Sequence, residues 1–157
     1  MANTIRRTVL SNTDRKLVVR QTEHCDGSSS TNNALIVDLD DASNFVDVAG
    51  ATLDADGFKN QVTGSALASV TVERVWFNIS GGDLFCSIKW DASSGADHLI
   101  ASAGLPDGIV RFHDFTIGGW GGLPKDGANA NGDITANVSG MGNGEAYSIV
   151  IEMRKGY

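Results

Sequence analysis

The chain has 157 residues, 41% of them hydrophobic, which suffices for one domain that buries roughly two-thirds of its unfolded surface. Its formal charge of −7 disfavours nucleic acid as a partner, because phosphate neutralisation supplies most of that affinity. No apolar run approaches the roughly 18 residues of a membrane span, and "MANTIRRTVLSNTDRK" lacks the apolar stretch of a secretory signal. The expectation is function without secretion and without a membrane partner.

Charge is unevenly placed along the chain. Residues 1–20 carry Arg6, Arg7, Arg15, Lys16 and Arg20 against Asp14, a net +4, whereas residues 21–60 net −7. The basic segment reads as a solvated strand pair with its charges in water, or as a contact for an acidic neighbour. "RKLVVRQTEH" then alternates at period two, with Leu17 and Val19 on one face and Val18, Arg20 and Thr22 on the other. Cys25 follows this strand and is expected at a loop mouth. "GSSST" at 27–31 is a flexible polar loop, and "NNALIVDLD" is a β-rich run that ends in acids. From Asp40 to Gly64 the regularity lapses, and a short helix or an excursion from the sheet is expected there.

Alternation resumes in "SVTVERVWFNIS", which sets Val75, Phe77 and Ile79 on one face and Arg74, Trp76 and Asn78 opposite. Gly81-Gly82 reads as a hairpin turn, since two glycines permit the positive φ of a tight primed turn. It leads into "DLFCSIKW", where Leu84, Cys86, Ile88 and Trp90 share one phase. "GIVRFHDFTI" and "GDITANVS" follow. The last segment, "EAYSIVIEMRK", points Tyr147, Ile149, Ile151 and Met153 one way. These eight or nine strands, with turns between most of them, predict an all-β fold over residues 1–157. It is a single β-sandwich, jelly-roll-like, with a glycine-rich loop, "GGWGGLPKDGANANGD", from Gly118 to Asp133. An immunoglobulin-like sandwich is the alternative.

Chemistry is sparse. His24, His98 and His113 lie on separate segments, so no local pair of metal ligands forms. "LDADGF" carries Asp54 and Asp56 but lacks the further ligands of a calcium loop, and an Asp-Gly turn accounts for it. Two cysteines, Cys25 and Cys86, make no metal site, and an intracellular chain disfavours a disulfide between them. The glycine loop lacks the Gly-Lys-Ser/Thr ending of a phosphate cradle. The expectation is no enzyme, no cofactor and no metal site.

Trp76 and Asn78, Trp90-Asp91, Gly121-Gly122-Leu123, Gly132-Asp133-Ile134 and the run Tyr147 to Lys155 together resemble a family of small tailed-bacteriophage virion proteins. These are encoded among head genes and described as structural, decoration or cement-like. The resemblance covers roughly residues 70–157, and the segment from Asp97 to Phe115 departs most from the family pattern. It implies a virion structural protein, a capsid decoration (cement) protein on the head surface that is assembled in the host cytoplasm. Its implied partners are the major capsid protein of the shell and other copies of itself.

The interface expected for such a protein uses Trp120 and Leu123 as apolar anchors in a conformable loop, with Arg6, Arg7, Arg15, Lys16 and Arg20 facing acidic surface. Two other readings remain open. One is a neck or tail component with the same fold. The other is a carbohydrate-binding module with Trp76, Trp90 or Trp120 as its stacking platform.

Overall fold

The structure is a computed structural model that describes residues 3–13, 15–27, 31–37, 69–104, 110–119, 121–125 and 130–156. Among these the chain forms ten strands: β1 (Thr4–Asn12), β2 (Lys16–His24), β3 (Thr31–Val37), β4 (Ser69–Ser80) and β5 (Phe85–Ala92). They continue with β6 (His98–Gly104), β7 (Val110–Asp114), β8 (Leu123–Pro124), β9 (Ala130–Ser139) and β10 (Ala146–Gly156). Within the described residues the predicted segments are strands, except that residues 115–117 turn away after β7. β6 is a strand not read from the sequence, and the helix or excursion expected over 40–64 lies outside the described residues.

The strands make two antiparallel sheets. The first has the order β1-β2-β10-β4-β7, with β8 also pairing β4; the second has the order β3-β9-β5-β6. Pairing is nested: β5 with β6, β4 with β7, β3 with β9 and β2 with β10. The protein is an all-β sandwich. Its core is built from the inward halves of the alternating strands, including Leu17, Val19, Val75, Phe77, Leu84, Cys86, Ile88, Trp90, Ile134, Ile149, Ile151 and Met153. Every inward residue read from the phase of β4, β5 and β10 is buried.

Gly81-Gly82 does not close a hairpin. β4 lies in the first sheet and β5 in the second, so the residues between them cross the sandwich. Leu84, within that crossing, is fully buried. A glycine pair permits sharp turns of either kind, so the pair itself does not choose between a hairpin and a crossing. The side chain of Glu145 holds it in place: its carboxylate accepts from the Gly82 amide at 3.1 Å and from the Gly142 amide at 2.5 Å. It thereby ties the β4–β5 link to the β9–β10 link.

Cys25 stands where β2 gives way to the Asp26-Gly27 bend, as expected, but it is not open to solvent. It continues the inward phase of β2 and is fully buried. Its amide donates to the Glu145 carbonyl and its own carbonyl accepts from Gly144, both at 2.9 Å.

Candidate binding face and its neighbours

The inner face of the first sheet changes character along β2. Leu17 and Val19 are apolar, but the next two inward positions are Gln21 and Glu23, at 0% and 1% exposure. Gln21 connects three strands: its Nε2 donates to the Tyr147 hydroxyl at 2.8 Å, and its Oε1 accepts from Arg7 Nε at 3.1 Å. Glu23 accepts from Asn3 Nδ2 at 2.7 Å and from Thr31 Oγ1 at 2.5 Å, which links the two sheets. Burial raises the Tyr147 pKa above its ordinary value, and the Glu23 charge adds to the effect. The Cys86 thiol is pushed up to about 12 by burial first and by Glu23 second. Burial also lowers the Arg7 pKa, against an opposing attraction to Tyr147. These groups sit inside the sandwich and serve its cohesion. The signal for them was the unbroken period of Leu17, Val19, Gln21 and Glu23, which continues inward regardless of polarity.

The outer face of the same sheet is arranged in cross-strand rows. Arg6, Thr22, Ser148 and Asn78 are register partners across β1, β2, β10 and β4. The next row toward one end is Thr4, His24, Ala146 and Ser80. Together the two rows line a groove of about 390 Å³. The adjacent row on the other side carries Arg20, Val150, Trp76 and Phe112. The Trp76 and Phe112 rings lie 5.2 Å apart with a 31° tilt, and Phe112 is 51% exposed. Beyond them, Arg74 bridges Asp114 at 3.1 Å and Glu152 at 2.7 Å, and Lys16 reaches Glu152 at 2.6 Å. Asp114 is held below its ordinary pKa, chiefly by hydrogen bonds from Thr116 and further by Arg74.

A second surface lies at the β7–β8 corner. Asp114, Phe115, Ile117, Gly122, Leu123 and Pro124 line a recess of about 540 Å³, and Ile117 is 72% exposed. Leu123 packs on the core and pairs with Val72. Gly122 is required here by geometry. Its φ is +103°, and an added Cβ would stand 2.7 Å from Thr71 Cγ2 and 3.0 Å from the Val72 carbonyl oxygen. So this glycine lets the chain press against β4, while Trp120 lies outside the described residues.

The five N-terminal cations do not form one patch. Arg6 and Arg20 stand exposed on the outer face, Arg7 turns inward to Gln21, Lys16 is engaged by Glu152, and Arg15 is exposed at the β1–β2 turn. Of the three tryptophans, Trp90 is fully buried in the core and cannot serve as a stacking platform. Trp76 keeps a partly open place on the outer face. His113 bonds the Ser102 carbonyl at 3.3 Å and stacks on Phe115 at 6.2 Å, and His24 faces Asp26 at 3.2 Å. Among the described residues no three His, Cys, Asp or Glu side chains converge as metal ligands, and the Asp54 and Asp56 segment lies outside them. No helix of the described residues is long and apolar enough to cross a membrane. No protein-family model matches the chain, and no curated protein matches it at a significant level.

Proposed function

We propose that the protein is a bacteriophage virion structural protein, a capsid decoration (cement) subunit that strengthens the head shell by binding across its subunits. The observation that carries this reading is the β7–β8 corner. An open apolar recess flanked by Ile117, Phe115, Leu123 and Pro124 has the character of a docking surface. The resemblance to phage virion proteins supports it. Its segments supply β4, β5, β9 and β10, which take inner places in the two sheets. The nested strand pairing is that of a chain folded back on itself and rolled into two layers, which we read as a jelly roll. In this reading the partners are the major capsid protein and neighbouring copies, and many modest contacts on one lattice reinforce each other.

The test is Ile117→Ser measured on purified capsids. Ile117 is largely exposed, so the melting temperature should hold while attachment weakens by about 2 kcal/mol, the scale of an interface anchor. Normal attachment of this variant would remove the corner from the interface. A neck or tail component would share the fold and differ in its copy number.

A further inference from the structure

The outer face of the first sheet has a composition that the docking corner does not share. Its groove is walled by Thr22, Ser80, Ser148 and Asn78, with Arg6 at one side and His24 at its end; Glu23 and Tyr147 also line it, but both are buried, and the Glu23 carboxylate already accepts from Asn3 and Thr31. Hydroxyls and a primary amide both donate and accept hydrogen bonds, so they match a ligand that carries hydroxyls in alternating roles. Asn78 and Trp76 share one face of β4 two residues apart, which places the aromatic pair about 7 Å along the strand from the groove. A tilted Trp–Phe shelf beside a row of hydroxyls offers an apolar ring face next to a polar edge.

Charge narrows the class. On a chain of net charge −7, the three rows that hold the groove and the shelf carry Arg6 and Arg20, and their other described outer-face residues include no carboxylate. The acids next along the face on one side, Glu152 and Asp114, are both engaged by Arg74, and Asp26 at the other end faces His24 at 3.2 Å. A guanidinium pairs with a planar carboxylate through two parallel hydrogen bonds. We infer that this face binds an acidic carbohydrate chain, with Arg6 and Arg20 taking its carboxylates, Asn78, Ser148 and Thr22 its hydroxyls, and Trp76 with Phe112 the face of one ring. Two cations are too few to hold a nucleic-acid strand by phosphate neutralisation, the main source of affinity for that ligand. The inference stands whether or not the protein decorates a particle.

The experiment titrates the full chain with a galacturonate hexasaccharide, with cellohexaose as the neutral counterpart and with the single strand dT12, followed by amide chemical shifts and calorimetry. The expected result is binding of the hexauronate at least tenfold tighter than cellohexaose or dT12, with shifts on the outer residues of β1, β2, β10 and β4. Arg6→Gln should cost about tenfold toward the hexauronate and leave cellohexaose unchanged. Phe112→Ala should weaken both sugars. Phe85→Ala, on the second sheet, should change neither. All three side chains are exposed, and an unchanged melting temperature shows that each variant is folded. Absence of hexauronate binding at millimolar concentration and low salt would overturn the inference. So would shifts confined to other surfaces, or tighter binding of dT12 or cellohexaose.

Discussion

The two faces of the first sheet are made by the same strands and do opposite things. In β10, Tyr147, Ile149, Ile151 and Met153 point inward and are buried, while Ser148, Val150 and Glu152 between them point outward. In β4, Val75 and Phe77 alternate with Arg74, Trp76 and Asn78. Period two thus separates buried packing from the exposed face residue by residue. Even the polar inward residues, Gln21 and Glu23, spend their hydrogen bonds on neighbouring strands. The outer ones leave a groove and an exposed Phe112. A side chain's place in the alternation is therefore a better guide to its role than its polarity.

Neighbouring substitutions test that separation most sharply. Ile149→Ala should cost about 2–5 kcal/mol in denaturant unfolding, from lost transfer energy and the cavity left behind. Ser148→Ala, one residue away, should stay within about 0.5 kcal/mol. Equal effects would show that the register is wrong.

Alkaline pH should act only through the inner face. Cys86 and Tyr147 are both raised, so they stay neutral in the folded chain at pH values where the unfolded chain ionises them. Their contribution is intact below the ordinary thiol value of 9.0 and is lost as pH rises toward about 12. A tenfold change in proton affinity is worth about 1.4 kcal/mol, so the loss reaches a few kcal/mol. Unfolding curves from pH 8 to 11 measure it, and Cys86→Ala should flatten part of the slope. A profile with no decline in that range would mean the inner face is open to solvent.

Gly122→Ala probes the corner where the faces meet. Positive φ and the close approach to Thr71 should make it cost about 1–3 kcal/mol, a smaller effect than at Ile149 but far larger than at Ser148. A neutral result would mean that β8 does not press against β4.

Much of this sheet was legible in the sequence. The alternation of "EAYSIVIEMRK" and of residues 74–79 in "SVTVERVWFNIS" assigns their inner and outer residues correctly, because a half-buried strand repeats at two; a bulge between Val72 and Arg74 shifts the phase, so Val70 and Val72 are inward as well. What was not legible is which strands share a sheet. Gly81-Gly82 has the local chemistry of a hairpin, and only the partners of β4 and β5, drawn from distant parts of the chain, show that it crosses the sandwich. The pairing of β2 with β10 joins segments more than a hundred residues apart, and no local pattern reports it. The site was half legible. Trp90 shares the phase of Cys86 and Ile88, which already places it inside, and Trp76 opposes Val75, which places it outside. The aromatic shelf depends on Phe112, and the cross-strand pairing of β4 with β7 that brings it to Trp76 is invisible in either segment alone.

The proposed role in the virion is tested most directly by locating the chain on purified particles, through quantitative mass spectrometry against the major capsid protein together with a cryo-EM map. A decoration subunit should be present on the order of hundreds of copies per particle, as lattice multivalency requires, with its β7–β8 corner against the shell. Absence from the particle, or a dozen or fewer copies confined to the neck or tail, would contradict it.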